Sequence, residues 1–303
     1  MTGTISLSPV TEKDIPEVLA FIATRESSCV TLSEHLLKAR KTPSLLDGRT
    51  RFFMLRSTDD ESLAGVFMLS SPGLLLHCIP FQTAPDQTTD QRQLKHQLYQ
   101  QLIELILPIV AESTIQCIMG ETEGTEFFGD LINASPVQVS DYYLFAFHRE
   151  QITPKGCHEE TAHLLLRYTD SADAESLYPL QEAYELEEVV PKGSTFSSAQ
   201  CMAGLRHTLK TRTAIAFWQG KNPIAKAAVN AEGLNWVQIG GVYTVPHWRN
   251  RGLARRLVQH IAEQSAEQGR GACLFVKQEN TAAQNSYRNA GFTQFGEFRI
   301  IYY

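Results

Sequence analysis

Several common signatures are missing from this sequence of 303 residues. Its six cysteines include no Cys-x-x-Cys pair and no neighbouring histidine cluster, so the usual zinc patterns are excluded and no metal is expected. Unpaired cysteines of this kind are typical of reduced thiols in a cytoplasmic protein. Basic residues are not in excess either, since 27 Lys and Arg face 33 Asp and Glu, a formal charge of −6. That balance argues against a general nucleic-acid-binding protein, which needs a basic face.

Long apolar runs are also missing. The most apolar predicted helix, Leu98–Val110, is too polar to span a bilayer because Gln100, Gln101, Glu104 and Pro108 interrupt it. The N-terminal sequence MTGTISLSPV lacks the basic stretch and apolar core of a secretory signal. We therefore expect no membrane partner. Hydrophobic residues still make up 43% of the chain, and the length suits two domains of ordinary size.

The most informative segment is a loop between a predicted buried strand, Val237–Tyr243, and a long amphipathic helix. Its residues follow the form Arg-x-x-Gly-x-Ala, in the order Arg249-Asn250-Arg251-Gly252-Leu253-Ala254. A helix start offers free backbone N–H groups at the positive end of the helix dipole, which suits a pyrophosphate. Gly252 allows close approach of an anion, and Arg249 and Arg251 add positive charge. The loop lacks the Gly-x-Gly-x-x-Gly of dinucleotide sites and the Gly-Lys-Ser/Thr of P-loops. A solvated helix start is the alternative interpretation.

Two consecutive blocks carry a family resemblance. The first, IGGVYTVPHWRNRGLARRLVQHIAEQSAEQG, resembles the acetyl-CoA-binding motif of the GCN5-related N-acetyltransferases, the GNAT superfamily. The second, ACLFVK followed by ENTAAQNSYRNAGF, is similar to the next strand and helix of that family. Asn280, Tyr287, Gly291 and Phe292 stand at the matching places. The resemblance covers roughly residues 160–303.

The resemblance implies how acetyl-CoA, as the acyl donor, is held. The strand Gln238–Thr244 is expected to separate from its neighbour and to pair with the pantetheine amides. Gly240 and Gly241 are consistent with a bulge or a close ligand approach, and a merely weakened strand is the alternative. The residues expected to contact the cofactor are Val242, Tyr243, Thr244, Arg249, Asn250, Arg251, Gly252, Leu253, Ala254, Asn280 and Tyr287.

Acetyl transfer needs a held thioester, a neutral amine and stabilisation of the charge that develops on oxygen and sulfur. By resemblance, Tyr287 is the candidate general acid for the CoA thiolate, with a core aromatic as the alternative. Asn280 can cap its helix and still contact the cofactor.

The general base is less sharply indicated. Glu185, Glu187 and Glu188 stand in AYELEEVV, near the end of the first helix of the domain, a region that borders the acceptor site in the family. Glu187 and Glu188 are our candidates, although a solvated helix end is the commoner meaning of such residues. His247 is an alternative base. The local negative charge favours a cationic amine as the acceptor.

The rest of the C-terminal half predicts alternating strands and helices, an order that fits an α/β fold with a mixed central sheet flanked by helices. The helix after the loop carries an apolar stripe of Leu253, Leu257, Val258, Ile261 and Ala262. The predicted strands are His163–Tyr168, Ala214–Trp218, Ile224–Asn230, Trp236–Thr244 and Ala272–Lys277, and a final hairpin follows Gly291-Phe292. The predicted helices are Asp170–Val190, Ser197 or Ser198 to Lys210, Leu253–Gln268 and Asn280–Asn289.

The N-terminal half repeats this outline more faintly. At the place of the anion loop stands FQTAPDQTTDQRQLKHQ, with no glycine at the helix start and with Asp86 and Asp90, which would repel a pyrophosphate. The predicted strands are Ile5–Pro9, Arg51–Arg56, Ala64–Ser70, Leu74–Ile79 and Thr114–Met119, the predicted helices are Asp14–Thr24 and Gln91–Glu112, and Val137–His148 is a final apolar stretch.

These patterns predict two tandem GNAT-like domains of the α/β class. Residues 1–150 are expected to form a degenerate domain that does not bind CoA, and residues 161–303 a catalytic domain that binds acetyl-CoA. The polar segment REQITPKGCHEE, residues 149–160, is the predicted linker. An unrelated α/β fold in the first half is the alternative.

The predicted function is N-acetyl transfer from acetyl-CoA to a primary amine by direct attack in a ternary complex. One alternative is a non-catalytic acyl-CoA sensor or interaction module, and another is an N-acyltransferase that uses a different acyl-CoA. The expected partner is a small-molecule or peptide amine, with neither nucleic acid nor membrane. The sequence leaves the oligomeric state open between monomer and homodimer.

Overall fold

The computed structural model describes residues 4–46, 48–81, 89–148, 161, 163–191 and 193–303. Residues 89–95 are described by their backbone only. The chain divides into two compact units. Unit 1 comprises Met1–Asp141 and Glu297–Tyr303, and unit 2 comprises Tyr142–Gly296. The predicted linker, 149–160, lies outside the described residues.

Unit 1 is a mixed sheet with helices on both faces. Its strands lie in the order β1-β2-β3-β4-β5-β12, and all neighbours are antiparallel except β4 and β5. The strands are β1 (Ile5–Pro9), β2 (Thr50–Ser57), β3 (Leu63–Ser70), β4 (Leu74–Cys78), β5 (Cys117–Glu121) and part of β12 (Phe292–Tyr302). The helices are α1 (Ile15–Ala23), α2 (Val30–Lys41), α3 (Thr89–Ala111) and α4 (Thr122–Asp130).

The core of unit 1 lies on both sides of this sheet. Strand β3 is apolar almost throughout because alternate residues meet different helices. Phe67 and Leu69 join the cluster that contains residues of α3 and α4, whereas Val66 and Met68 join the cluster of α1 and α2.

Two helices of unit 1, α2 and α4, were not predicted from the sequence. Helix α4 contains glycine, which is a poor helix former. A Cβ at Gly124 would lie 2.4 Å from the His77 ring, so a tertiary contact with β4 explains this residue. Helix α2 mixes buried polar residues, Ser33 and Glu34, with its apolar ones, which weakens the periodic pattern on which the prediction depends.

Unit 2 repeats the layered arrangement. Its strands lie in the order β6-β11-β10-β9-β8-β7. The strands are β6 (Gln138–Phe147), whose second half belongs to this unit, β7 (Leu165–Tyr168), β8 (Ala214–Gln219), β9 (Asn222–Glu232), β10 (Trp236–Thr244) and β11 (Gly271–Lys277). The helices are α5 (Ala174–Tyr184), which continues as a π-helix over Glu185–Val189, α6 (Ser198–Thr211), α7 (Leu253–Glu267) and α8 (Thr281–Asn289).

Helix α7 confirms its predicted apolar stripe, because all five stripe residues are at most 1% exposed. Alternate residues of β9 point to different layers. Ala225, Ala227 and Val229 pack in the cluster that includes α7, whereas Ala228 packs in the cluster of α5 and α6. The alternation therefore directs the neighbouring Lys226 toward α5 and α6.

Strands β10 and β11 are neighbours for only part of their length. Their parallel pairing runs from Trp236 opposite Gly271 to Gln238 opposite Cys273. Beyond it, β11 stays paired with β6 as far as Lys277 opposite Tyr142. The expected separation of β10 from its neighbour after Gln238 is therefore confirmed.

The expected bulge in β10 is confirmed as well. In the antiparallel pairing with β9, Gly240 lies opposite Ala228 and Tyr243 opposite Lys226, so two residues of β10 face one of β9. Gly241 lies in this bulge with φ +59°, a conformation that favours glycine. A Cβ at Gly240 would lie 1.9 Å from the Asn230 amide nitrogen, so glycine at position 240 makes room for the Asn230 side chain.

The predicted C-terminal hairpin is wrong. Residues Phe292–Tyr302 form one continuous strand, β12, and Gly296 within it lacks the positive φ that is common for the glycine of a tight hairpin turn. The strand begins in unit 2 and ends in unit 1, where Phe298–Tyr302 pair with β5. The predicted helix Asp170–Val190 is corrected in its last turn, where the α-helix gives way to the π-helix.

Candidate active site

The loop before α7 alternates in the sign of its backbone φ angles. Asn250 and Gly252 have φ of +63° and +75°, and the residue between them does not, an alternation typical of anion-binding nests. The helix closes its first hydrogen bond from the Arg256 N–H to the Gly252 carbonyl, 3.1 Å, so the preceding N–H groups have no acceptor inside the helix. No acidic residue stands in the first turn to offset the positive end of the dipole.

Side chains of this loop have separate roles. Leu253 is 1% exposed and packs in the core, so only its backbone is available to a ligand. The guanidinium of Arg251 lies 4.7 Å from the Trp248 ring centroid, and Trp248 itself is buried. A Cβ at Gly252 would meet nothing closer than 3.8 Å, so its positive φ rather than crowding is what requires glycine there.

Arg249 connects the loop with the π-helix. Its Nη2 donates to both carboxylate oxygens of Glu187, at 3.0 and 2.8 Å, and its Nε donates to the Thr244 carbonyl at 3.0 Å. The guanidinium also lies 5.5 Å from the Tyr243 ring centroid. Thus a predicted base candidate, Glu187, pairs with a residue predicted to bind the diphosphate, Arg249.

Glu188 makes the equivalent connection to the second block of the motif. It pairs with the Lys277 ammonium at 3.2 Å and accepts a hydrogen bond from the Asn280 amide at 3.3 Å. Asn280 caps α8, as expected, by accepting from the Ala283 N–H at 3.0 Å. The two predicted bases therefore lie side by side on the π-helix, each bonded to a residue of the predicted cofactor cleft.

Tyr287 is almost wholly enclosed, with 7% of its surface exposed. Its ring lies 6.4 Å from that of Phe292. Burial, and secondarily Tyr184 and Glu188, raise its pKa well above the usual value for tyrosine, so the hydroxyl keeps its proton at neutral pH. Tyr287 is thus a core aromatic, as the alternative interpretation held, and it also carries a hydroxyl that can donate a proton.

Lys226 is the residue that the sequence analysis missed. It is 7% exposed, its Nζ donates to the Gly241 carbonyl at 2.9 Å, and it lies 4.8 Å from the Tyr184 ring centroid. Burial lowers its pKa to about 7, although the Glu185 carboxylate favours the charged form. The available signal was a lone lysine in the apolar strand sequence PIAKAAV.

A cavity of about 260 Å³ lies between the helices α5 and α6, the π-helix, and strands β8–β10. Lys226 and Glu185 line it, and so does Gly241 of the β10 bulge. Gln181 also lines it and donates to the Glu185 carboxylate at 2.8 Å. The buried hydroxyl of Thr169, at the wall, has no hydrogen-bond partner among the described residues.

The described part of the chain lacks two features. No group of three or more His, Cys, Asp or Glu residues there is arranged to hold a metal ion. No helix in the same residues is long and apolar enough to cross a membrane.

A family model matches part of the chain, and solved structures are similar to nearly all of it. Residues 175–292 match the family model described as the acetyltransferase (GNAT) family. No curated protein matches the sequence.

Three solved structures are similar over nearly the whole chain. A Drosophila protein has 13% identity and a TM-score of 0.61, covering 98% of each chain. A GNAT-family acetyltransferase from Colwellia psychrerythraea has 12% identity and a TM-score of 0.55, covering 98% of this chain and 99% of its own. A tandem GNAT protein from the clavulanic acid biosynthesis pathway has 10% identity and a TM-score of 0.53, covering 98% and 97%. The predicted fold, two tandem GNAT-like domains of the α/β class, is confirmed.

Proposed function

We propose, on the premise that residues 175–292 belong to the acetyltransferase (GNAT) family, that this protein transfers an acetyl group from acetyl-CoA to a primary amine. The carrying observation is that the separation of β10 from β11, the two positive φ angles in the loop before α7 and the buried Tyr287 occur together in unit 2. The catalytic domain is proposed to be residues 161–303, of which Glu297–Tyr303 pack with unit 1 and the rest of the described residues with unit 2. The N-terminal domain, 1–150, is proposed not to bind CoA; most of the segment that carries this argument lies outside the described residues.

The residues present fit the acyl donor. The N–H groups of residues 250–254 and the guanidinium groups of Arg249 and Arg251 suit a diphosphate. Past Gln238, the edge of β10 that faces away from β9 is not paired with β11, so Val242, Tyr243 and Thr244 can offer backbone groups to the pantetheine amides. Asn280, which caps α8, and Tyr287, within α8, are the proposed contacts from the second block of the motif.

The proposed reaction moves the acetyl group from the sulfur of acetyl-CoA to the nitrogen of the amine. The neutral amine attacks the thioester carbonyl carbon, a C–N bond forms, and the C–S bond breaks. Tyr287 gives its proton to the departing sulfur, and its hydroxyl carries that proton at neutral pH before the transfer. The proton lost by the amine passes through water to Glu187 or Glu188, and the products are an N-acetyl amide and free CoA.

The test is a thiol-release assay with acetyl-CoA over amines, amino acids and peptides, with mass spectrometry of the products. We expect release that depends on one class of amine and an acetylated product of matching mass. Tight acetyl-CoA binding without acetylation of any amine would instead support a non-catalytic acyl-CoA module. Release only with another acyl-CoA would retain the fold of the site and change the donor.

A further inference from the structure

We propose that the cavity beside the β10 bulge takes an acceptor that carries a carboxylate as well as its amine, such as an amino acid. Lys226 pairs with the carboxylate, and Glu185 receives the ammonium group. This inference rests on the proposed function and names the class of its acceptor.

The position of the cavity favours an acceptor. One of its walls is Gly241, which lies in the bulge of β10 immediately before the proposed pantetheine-binding residues Val242 and Tyr243. An occupant of the cavity is therefore next to the strand that would hold the thioester. At about 260 Å³ the cavity is just below the range of about 300–1,000 Å³ common for drug-sized ligands, which favours a small molecule over a polymer.

The cavity contains charges of both signs. Burying an ammonium group without a counter-charge costs several kcal/mol, by order of magnitude, and proteins rarely keep one in a strand of small apolar residues. Lys226 contacts a carbonyl and an aromatic face, neither of which is an anion. Within the described residues no ion pair of 4.0 Å or less joins it to Glu185, although the two interact electrostatically. Lys226, whose pKa burial lowers to about 7, is therefore left to take up a proton and pair with the carboxylate of a zwitterion, while Glu185 pairs with its ammonium group.

The other acidic residues of the stretch are engaged elsewhere. Glu187 is bonded to Arg249, Glu188 to Lys277, and Glu182 accepts from the Tyr178 hydroxyl at 2.9 Å. Only Glu185 of this stretch lines the cavity, and Lys226 balances it. Inside the cavity the acidic stretch therefore contributes one carboxylate, that of Glu185, opposite the Lys226 amine.

The experiment uses matched acceptors that differ only in the carboxyl group. The compounds are alanine, alaninamide and ethylamine; phenylalanine, phenylalaninamide and phenethylamine; and lysine, lysinamide and cadaverine. Turnover is measured by thiol release, and binding is measured separately by calorimetry. We expect kcat/KM for the best amino acid to exceed those of its amide and its decarboxylated amine by about 10- to 100-fold, as for a hydrogen-bonded charge pair.

Lys226→Met should collapse that ratio toward one, whereas Lys221→Met, on the exposed turn before β9, should leave it intact. Acetyl-CoA affinity reports whether the variant is folded. If Lys226→Met does not fold, proton uptake in the wild-type protein decides: calorimetry in buffers of different ionisation enthalpy should show more protons taken up near pH 8 with the amino acid than with its decarboxylated partner.

The failures are distinguishable. Equal kcat/KM within each set, or a preference for the plain amines, overturns this inference and leaves the acetyltransferase standing. A preference that survives Lys226→Met, or equal proton uptake, overturns the role of Lys226. Amino-acid binding that requires Lys226, without any acetylation, supports the cavity assignment and overturns the proposed function. Neither binding nor turnover with any compound overturns both.

Discussion

Replacing Gly252 by aspartate tests the nest before α7 most directly, because a matched control lies at the other end of the same helix. Gly269 follows the last turn of α7, its φ is +73° against +75° for Gly252, and a Cβ there meets nothing within 4 Å. Aspartate at either position incurs the same left-handed strain, about 1–2 kcal/mol, and the same change in net charge. Only the first carboxylate lies at the proposed diphosphate site.

The magnitude follows from the geometry. Two unit charges at about 4 Å interact by about 1 kcal/mol in water and about 4 kcal/mol at an effective dielectric constant near 20. Because residue 252 is partly exposed, we expect the Kd for acetyl-CoA to rise by about 5- to 1,000-fold in Gly252→Asp and by less than about twofold in Gly269→Asp. High salt should reduce the difference between the two variants in their Kd for acetyl-CoA.

The helix dipole makes the control more stringent. A carboxylate is favourable at the N-terminus and unfavourable at the C-terminus, by about 0.3–1 kcal/mol each. Gly252→Asp should therefore unfold at the higher temperature of the two variants and yet bind acetyl-CoA more weakly. Calorimetry and thermal unfolding measure both quantities. Equal affinities in the two variants would refute the reasoning.

Three further predictions concern neighbouring groups. Tyr287→Phe should lower kcat by about 100-fold or more, with the Kd for acetyl-CoA nearly unchanged; an unaltered maximal rate would remove Tyr287 from proton transfer. Glu187→Gln should release Arg249 and tighten acetyl-CoA binding by a few-fold at low salt, since an exposed ion pair contributes about 0.2–1 kcal/mol. Arg249→Ala should weaken acetyl-CoA binding. If calorimetry finds tighter binding for Arg249→Ala than for Glu187→Gln, the assignment of Arg249 is contradicted. Because the pKa of Lys226 is lowered, the unfolded chain binds one more proton than the folded chain above about pH 7. The free energy of unfolding of the wild type, relative to that of Lys226→Met, should therefore rise from pH 7 to 9 by at most about 1.4 kcal/mol per pH unit. Denaturant titrations in which this difference stays flat or falls would exclude a neutral buried amine.

Local signals explain what the sequence predicted well. The stripe of α7 and the Asn280 cap depend on spacings within a few residues, and both are confirmed. The bulge in β10 was indicated by two adjacent glycines, whose reasons differ in the structure: one needs a positive φ, and the other makes room for Asn230.

The missed features depend on distant parts of the chain. Lys226 is buried because α5 and α6 cover that face of β9, which the strand sequence alone does not specify. Glu187 meets Arg249, and Glu188 meets Lys277, only through the tertiary fold. Likewise, β12 continues as one strand because Phe298–Tyr302 find a partner in β5, a strand that lies far back in the sequence.

The path of β12 has a consequence for biosynthesis. Residues 297–303 complete the sheet of unit 1, although every other segment of that unit emerges from the ribosome well before them. Unit 1 is therefore left with the β5 edge uncovered throughout translation of unit 2, and a chaperone has that interval in which to bind it. A deletion of these few residues would accordingly harm the half of the protein that is made first.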